Sequence, residues 1–441
     1  MKHHKNSRLK IDPSEYRSDV EPKTVLYGLP KEVKFCKKCV ISNQRPTSTI
    51  EFEHTEDSSK NTIHFDSFGI CDACRLAEEK RKNIDWKERE AELWELCNRH
   101  KRNDGSYDCV VPGSGGKDSF YASHILKEKF GMNPLTVTWA PHIYTEGGWE
   151  NFERWVLSCS DNYRVTPNTK IHRLITRMAV ENLFHPFQPF MFGQKSIAPR
   201  IAALLDIPLV FYGENEAEYG NPIEDISSAK RESAYFASKP QSTVYLGGIS
   251  VDQWRQEIGI SNSDLSLYMP IPKDLVEEKT IQVHYLGYYL FWHPQGAYYY
   301  AVDHGDFHAS PERTPGTYSK YNSIDDKMDD LHYFTTYIKF GLGRATYDAA
   351  QEIRNSEITR DEGILLVEKY DGEYPLRFET ELFDYLSIRK EEYPEASKWF
   401  DQPIVDRDYF LSLADKFRSP HLWKLDHGTW ALREKLGKKF G

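Results

Sequence analysis

The sequence predicts an α/β fold built on a parallel sheet, with a metal-binding module before it and a mostly helical region after it. Between residues 107 and 212, short apolar runs typical of buried strands alternate with helical stretches. This alternation indicates βαβ units, in which helices connect parallel strands. A glycine-rich turn joins the first strand to the first helix, and two cysteine pairs precede it.

Four regions are expected along the chain. They are a polar N-terminal arm at 1–33, a cysteine module with a linking helix at 34–104, a nucleotide-binding domain at 105–260, and an aromatic-rich and helical region at 261–441. Strands are predicted over 107–111, 134–138, 163–165 and 208–212, and helices over 85–97, 118–130, 149–158, 171–183, 196–205, 325–339, 344–354 and 360–370. Ligands of such sheets bind at the carboxyl ends of the strands.

The composition narrows the class of protein. Hydrophobic residues make up 39% and charged residues 28%, and no apolar run is long enough to span a membrane. The N-terminus lacks the apolar stretch of a secretory signal, so we expect a cytoplasmic protein. The net charge of −10 disfavours a nucleic-acid partner, because proteins that grip nucleic acids usually carry a basic excess.

Two Cys-x₂-Cys pairs predict a closed metal site. Cys36 and Cys39 form the first pair, and Cys71 and Cys74 form the second. Four thiolates at this spacing are typical of a structural Zn²⁺ site, and an iron–sulfur cluster is the alternative. Of the other cysteines, we expect Cys97, Cys109 and Cys159 to pack rather than to react.

The glycine-rich turn predicts a phosphate site. Its residues are Ser114, Gly115, Gly116, Lys117, Asp118 and Ser119. A turn between a strand and a helix points backbone N–H groups at an anion, and adjacent glycines allow phosphate to come close. A carboxylate among phosphate ligands implies a bridging Mg²⁺, which Asp118 would hold. The spacing is not that of a Walker loop. The alternative interpretation is a tight turn with incidental glycines.

The turn resembles the Ser-Gly-Gly-x-Asp-Ser signature of the N-type ATP pyrophosphatases, or PP-loop enzymes. In that family the loop holds the β,γ-pyrophosphate of ATP while a substrate oxygen attacks the α-phosphate. Related enzymes place a basic residue from the C-terminal region on the pyrophosphate, and Lys339 and Arg344 are the candidates here.

An acidic segment follows the predicted strand at 208–212 and therefore lies at the ligand edge of the sheet. Its polar residues are Glu214, Asn215 and Glu218. They could hold Mg²⁺, a substrate hydroxyl or incoming ammonia, and we expect Glu214 to take part in catalysis. A solvated acidic loop is the alternative. The aromatic run at 281–300 predicts either a core or a sugar-stacking platform.

Together these stretches resemble the N-acetyl sugar amidotransferases of bacterial surface-polysaccharide and nonulosonic acid pathways. The motifs are Phe35-Cys36-Lys37-Lys38-Cys39-Val40, Gly69-Ile70-Cys71-Asp72-Ala73-Cys74, the loop at 114–119, Tyr212-Gly213-Glu214-Asn215, Gly316-Thr317-Tyr318, Ser323-Ile324-Asp325-Asp326-Lys327 and Ile338-Lys339-Phe340-Gly341. The resemblance covers about 34–385.

The resemblance implies an AMP-forming carbon–nitrogen ligase. Such an enzyme adenylates the N-acetyl carbonyl oxygen of a sugar, and ammonia then displaces AMP to give an acetamidino group. It implies ATP, Mg²⁺ and Zn²⁺ as cofactors. It also implies that a separate glutaminase subunit supplies the ammonia, through an ammonia-channelling barrel protein. Because no cysteine lies on a glycine-flanked elbow, we expect no glutaminase activity in this chain.

Two other functions stay open at this stage. A PP-loop enzyme that thiolates or amidates a tRNA base would usually carry a basic face and a catalytic thiol. A non-catalytic zinc-containing scaffold would keep the fold and lose the loop chemistry. Release of AMP and pyrophosphate with N-acetylated sugars, with tRNA or with neither discriminates among the three.

Overall fold

A parallel five-stranded sheet forms the centre of the computed structural model, which describes residues 12–158, 160–221, 228–239 and 243–437. Its strands are β1 (Cys109–Pro112), β2 (Pro134–Trp139), β3 (Asn162–Val165), β4 (Leu209–Tyr212) and β9 (Gln282–Tyr285), in the spatial order β3-β2-β1-β4-β9. Every neighbouring pair is parallel. The predicted α/β class is therefore confirmed.

The strand order creates a switch point beside β1. The chain places β2 and β3 on one side of β1, then returns to place β4 and β9 on the other. Crossovers that leave in opposite directions open a crevice at the carboxyl ends of the two central strands, β1 and β4 here. The segments that follow these two strands begin at Gly113 and Gly213.

Helices cover the sheet and recur through the rest of the chain. They are α1 (Asp72–Lys82), α2 (Trp86–His100), α3 (Lys117–Glu128), α4 (Glu146–Ser158), α5 (Thr169–Leu183), α6 (Gln188–Leu204), α7 (Val251–Gln256), α8 (Asn262–Leu265), α9 (Lys273–Glu278), α10 (Leu286–Tyr289), α11 (Pro294–Gly305), α12 (Asp329–Phe340), α13 (Arg344–Arg354), α14 (Arg360–Tyr370), α15 (Glu379–Leu386) and α16 (Arg407–Phe417). Among the described residues, none of these helices combines the length and apolar character needed to cross a membrane.

Six short strands lie outside the sheet. They are β5 (Ala237–Ser238), β6 (Tyr245–Leu246), β7 (Ile249–Ser250), β8 (Ile271–Pro272), β10 (Trp423–Asp426) and β11 (Thr429–Leu432). β5 pairs with β8 in parallel, whereas β6 with β7 and β10 with β11 form antiparallel hairpins.

Each predicted strand and helix overlaps an element of the structure, although α6 begins at Gln188 rather than at 196 and α12 begins at Asp329 rather than at 325. The helices expected at 344–354 and 360–370 have those limits, and Asp85 caps α2 by accepting from the backbone N–H groups of Lys87 and Glu88. The sheet, however, continues past residue 260, because β9 supplies its fifth strand. This strand is only four residues long and opens the aromatic run, so its local pattern did not separate it from that run.

The cysteine module rests on the C-terminal helices. Its cysteines share an apolar cluster with Ala349 of α13 and Ile364 of α14. Arg360 also donates from Nε to the carbonyl of Cys39 at 3.1 Å and from its guanidinium to the carbonyl of Cys36 at 3.2 Å. The module therefore forms one wall shared with the C-terminal region.

The N-terminal arm packs on the C-terminal hairpin. Tyr16 is 4% exposed, its ring meets that of Trp430 edge-on at 5.0 Å, and its hydroxyl donates to the carbonyl of Arg418 at 2.6 Å. The arm was predicted to be polar. Within it, Tyr16 and Leu29 are buried and belong to the main apolar core.

We expect Tyr16→Ala to lower the free energy of unfolding by about 3 kcal/mol, because a buried aromatic ring leaves a cavity when it is removed. Tyr299→Ala removes the same side chain where it is 55% exposed, and should cost under about 1 kcal/mol. Urea unfolding of both variants measures the difference. Equal losses would show that the arm contributes no stability.

Candidate functional site

The loop between β1 and α3 has no room for a side chain at two of its glycines, Gly113 and Gly115. A Cβ atom on Gly115 would lie 2.5 Å from the Cα of Phe152 in α4, and the φ of Gly115 is +89°. A Cβ on Gly113 would lie 2.2 Å from the Cβ of Ser119. Both positions therefore require glycine, for space at each and also for conformation at Gly115.

Helix α3 begins directly at this loop. The residue before it, Gly116, has extended backbone and carries no side chain that could cap the helix. The first backbone N–H groups of a helix have no partner within the helix, and they carry partial positive charge. The loop therefore presents backbone donors to an anion at the switch point of the sheet.

Two carboxylates face each other across this loop. Asp118 pairs with Lys117 through one oxygen, while its Oδ1 is buried with no hydrogen-bond partner among the described residues. Glu214 follows β4 and accepts from the hydroxyl of Tyr219 at 3.2 Å. Burial raises the pKa of Glu214, and the charge of Asp118 raises it further. A cation between the two carboxylates would relieve this repulsion, so Asp118 and Glu214 could hold Mg²⁺.

Two cavities meet at the loop. The loop cavity, about 390 Å³, extends from the loop past Val137, Trp139, Ile197 and Tyr212. The acidic cavity, about 510 Å³, extends the other way toward α12 and α13. Both are lined by Arg45, Ser114, Gly116, Asp118 and Glu214. A ligand bound at the loop can therefore reach two spaces, one that contains Trp139 and Tyr212 and one that contains several aspartates.

The acidic cavity gathers carboxylates around Arg344. Asp325 and Asp329 line it, and burial raises the pKa of both. A hydrogen bond from Ser114 opposes part of the rise at Asp325, whereas neighbouring aspartates add to the rise at Asp329. Arg344 pairs with Asp348 at 3.0 Å and donates to the hydroxyl of Tyr333. Such a lining suits a ligand rich in hydroxyl groups with a charged group near Arg344.

The predicted site residues fall in two places. The six loop residues, Glu214 and Arg344 line the two cavities that meet at the loop. Lys339 instead lines a third cavity of about 190 Å³, where its Nζ donates to the carbonyl of Leu183 at 2.7 Å. Its contact with pyrophosphate stays a prediction. Glu218, at the same strand end as Glu214, turns away and pairs with Lys80 of the cysteine module.

Arg45 is a site residue that the sequence did not indicate. It lines all three cavities, is 7% exposed, and its Nε has no hydrogen-bond partner among the described residues. Nothing in the segment Gln44-Arg45-Pro46 distinguishes it from a surface arginine. Asp325, by contrast, could be noticed in the sequence, because it belongs to the run of acidic residues that precedes α12.

The four paired cysteines come together as predicted. Their Sγ atoms all lie within 4.8 Å of one another, with 3.9 Å from Cys36 to Cys74 and 3.7 Å from Cys39 to Cys71. The set is buried and could hold a metal. Cys97 and Cys109 are buried in the core beside the sheet, and burial raises the pKa of both thiols. Cys159 lies outside the described residues.

The aromatic run does not line the cavities at the loop. Tyr285, Tyr289 and Trp292 are buried, and helix α11 packs along α3. The aromatic side chains that do line the acidic cavity come from other segments and include Phe307, Tyr321 and Tyr333. The buried part of the run therefore belongs to the core, whereas Phe291 and Tyr299 are exposed away from these cavities.

Comparison with known proteins gives one family match. Residues 315–437 match the family model described as LPS biosynthesis protein WbpG-like, C-terminal domain. An uncharacterized protein of Methanocaldococcus jannaschii is 37% identical over 84 residues, which are 19% of this chain and 29% of that protein. The chain thus matches less than a third of the length of that relative.

Two solved structures show weak similarity. A predicted subunit of tRNA methyltransferase from Methanocaldococcus jannaschii is 16% identical, covers 44% of this chain and 75% of its own, and has a TM-score of 0.23. The U34-tRNA thiolase NcsA from Methanococcus maripaludis, with its 4Fe-4S cluster, is 13% identical, covers 76% and 89%, and has a TM-score of 0.28. Scores this low do not establish a common fold.

We expect Gly115→Ala to destabilise the protein more than a positive φ alone explains. Gly105 has a similar φ of +83° but open space around it, so Gly105→Ala should cost only about 1–2 kcal/mol. Gly115→Ala carries that strain and a clash with the backbone of α4 as well. Urea unfolding of both variants tests this, and equal losses would mean that α4 moves aside freely.

Proposed function

We propose that this chain is an ATP-dependent enzyme that releases AMP and pyrophosphate. The observation that carries the proposal is the loop itself. Uncapped backbone donors, Asp118 with a free buried oxygen and the opposed Glu214 converge at the switch point of a parallel sheet. The resemblance of residues 114–119 to the PP-loop signature supports this function.

The two cavities suggest where each substrate binds. The loop cavity offers Trp139 and Tyr212 beside aliphatic side chains, which suits an adenine ring and its ribose. The phosphates would then lie on the loop, with Arg45 and Arg344 as the nearby cations. Mg²⁺, held by Asp118 and Glu214, would neutralise phosphate charge during the transfer.

We propose an N-acetylated sugar as the second substrate, in the acidic cavity. Asp325 and Asp329 can accept hydrogen bonds from sugar hydroxyls, and Asn322 lies beside them. The match of residues 315–437 to a WbpG-like LPS biosynthesis domain supports this choice, because these residues include α12 and α13, which form a wall of that cavity.

The proposed reaction replaces one oxygen by nitrogen. The carbonyl oxygen of the N-acetyl group attacks the α-phosphorus, and the bond to pyrophosphate breaks. Ammonia then adds to the activated carbon, AMP leaves with the former carbonyl oxygen, and a proton is lost to give the acetamidino sugar. The loop donors and Arg45 would stabilise charge on the departing pyrophosphate, and the cavity walls would keep water from the activated intermediate.

The alternatives find less support. Cys97 and Cys109, the described cysteines outside the metal cluster, line neither cavity at the loop, so a thiolation mechanism would lack a thiol there. A non-catalytic scaffold gives no reason to keep the repelling pair Asp118 and Glu214 buried at the loop, since such a pair costs stability without a ligand.

We propose that the cysteine cluster binds one Zn²⁺ ion. Four sulfurs about 2.3 Å from a single zinc ion would stand about 3.8 Å apart. Two sulfur pairs, at 3.7 and 3.9 Å, fit that spacing. A 4Fe-4S cluster places each thiolate on a different iron atom and would hold the sulfurs farther apart. Arg360 of α14 donates to the carbonyls of Cys36 and Cys39. A zinc ion bound by these cysteines would therefore hold in place the segment that α14 contacts.

Asp118→Asn should reduce AMP formation about 100-fold or more, because the buried oxygen would no longer bind a cation. The assay measures AMP and pyrophosphate with ATP, Mg²⁺, ammonium and N-acetylated sugars, with tRNA, and with neither. Asp361→Asn is the control, because it removes a carboxylate from the first turn of another helix, α14. Its rate of AMP formation should stay within about twofold of the parent rate. Normal AMP formation by Asp118→Asn would exclude the proposed site. AMP formation that requires tRNA would show that tRNA, and not a sugar, is the second substrate.

Purified protein should contain about one zinc per chain, measured by metal analysis and absorbance. Cys71→Ser should lose the zinc and unfold at a lower temperature, because the ion substitutes for a core that the module lacks. Cys97→Ala changes a buried cysteine outside the cluster, and this variant should keep the zinc. An absorption band of an iron–sulfur cluster, or a stable metal-free Cys71→Ser protein, would contradict zinc.

We further propose that a separate glutaminase subunit supplies the ammonia, through an ammonia-channelling barrel protein. The chain alone should form the amidine at high ammonium but not with glutamine. Among the described cysteines, none sits where a glutaminase nucleophile could act, because six are buried and four of these form the metal cluster. Glutamate release is the readout. Robust glutamate formation by the single chain would falsify the two-component arrangement.

A further inference from the structure

Apart from Arg45, the lining of the third cavity takes no part in the proposed reaction. We call it the lysine cavity; it has a volume of about 190 Å³ and is lined by Arg45, Glu51, His54, Lys60, His185 and Lys339, with further residues around them. It shares Arg45, Met191, His332, Thr336 and Tyr347 with the acidic cavity. It is therefore a side chamber of the site rather than an isolated void.

Positive charge predominates in its lining. Arg45, Lys60 and Lys339 contribute cations, and Glu51 is the one carboxylate among the described lining residues. Lys195 adds a further cation, because its Nζ lies 3.9 Å from Oε1 of Glu51, whose Oε2 is buried with no hydrogen-bond partner among the described residues. Burial lowers the pKa of Lys60 to about 8 and holds that of Lys339 well below its ordinary value. Mutual repulsion of the two ammonium groups lowers the pKa of Lys339 further.

Several buried donors of the cavity lack acceptors. Lys339 is 4% exposed and has one acceptor, the carbonyl of Leu183, for its three N–H bonds among the described residues. Nε of Arg45 has none. Nζ of Lys60 reaches the hydroxyl of Thr49 at 3.2 Å and Nδ1 of His54 at 3.5 Å. Buried donors of this kind are usually satisfied by a ligand or by water.

The imidazoles of the cavity can serve as additional neutral donors. Burial lowers the pKa of His54 to about 4 and that of His332 to about 3, so both rings are uncharged at neutral pH. Nδ1 of His332 is buried without a partner among the described residues. A neutral imidazole can present an N–H to an anion without adding charge.

We propose that the lysine cavity binds an oxyanion, a phosphate or carboxylate group, at a place separate from the phosphate-binding loop. The anion would accept from Lys339, Lys60 and Arg45 and would offset the excess positive charge. The volume suits a single phosphate or the anionic end of a larger molecule. Binding of the free ion stands independently of the proposed reaction, because it is measured without turnover.

A metal ion is the competing occupant. Glu51, His54 and His185 bring one ligand atom each within 4.8 Å of one another. The surrounding cations oppose it, because Lys60 lies 3.5 Å from Nδ1 of His54 and Lys195 lies 3.9 Å from Glu51. A divalent cation among these ammonium groups would be repelled, whereas an anion would be attracted.

The test is calorimetric titration of the zinc-loaded full-length protein with inorganic phosphate. Lys339→Met and Lys60→Met should each weaken phosphate binding by roughly tenfold or more, because each removes a charged donor. Lys170→Met, at an exposed position, should leave the affinity unchanged. Lys60 lies at the partly exposed edge of the cavity, so its variant decides the matter if Lys339→Met does not fold.

A second titration tests whether the phosphate site is separate from the glycine loop. It repeats the phosphate titration in the presence of saturating α,β-methylene-ATP, which would occupy the loop. Unchanged phosphate affinity supports a separate site, and competition between the two ligands would overturn it. Absence of phosphate binding, or equal binding by all three lysine variants and the parent, would also overturn the proposal. So would a second bound Zn²⁺ that depends on His54 and is indifferent to phosphate.

Two sugars then distinguish the source of the anion. If N-acetylglucosamine 1-phosphate displaces phosphate while N-acetylglucosamine does not, the cavity holds the charged group of the second substrate, and this step rests on the proposed function. If neither displaces it, the cavity binds the free ion. Both results support the oxyanion site, and failure of turnover with either sugar would count against the proposed reaction alone.

Discussion

The close passage of the glycine loop against helix α4 is the constraint on which the site depends. At Gly115 the loop backbone lies where a side chain would collide with the backbone of Phe152. This contact fixes the direction in which α3 leaves the sheet, and hence the direction of its first N–H groups. It also sets the position of Asp118, which stands in the first turn of α3 opposite Glu214. Packing of one helix thus determines the electrostatics at the end of another.

Charge is distributed unevenly around the connected cavities. Carboxylates gather in the acidic cavity, and their raised pKa values show that burial and mutual repulsion oppose their ionisation. Cations gather in the lysine cavity, where burial lowers the pKa of the lysines. Arg45 stands between the two. The two linings therefore favour groups of opposite charge.

The sequence predicted the parts of the protein that have local signals. Strand and helix periodicity located β1, β2 and the helices at 344–354 and 360–370, and residue spacing located the cysteine cluster and the loop. The placement of Arg45 and Lys339 had no such signal. Both depend on which distant segments share a cavity, and residue type alone does not report that. Strand β9 was missed for a related reason, because its paired residues in β4 lie 73 positions earlier (282 − 209) and its own pattern is short.

The walls of the site come from segments far apart in the chain. The guanidinium of Arg45 lies 5.5 Å from the ring of Tyr347 in α13, and both residues line the acidic cavity. A chain emerging from the ribosome therefore cannot assemble the cavities until α13 has been made. Long-range closure of this kind slows folding, and it leaves the central sheet without its covering segments during synthesis. A truncated product would keep the glycine loop and yet present it on an open surface.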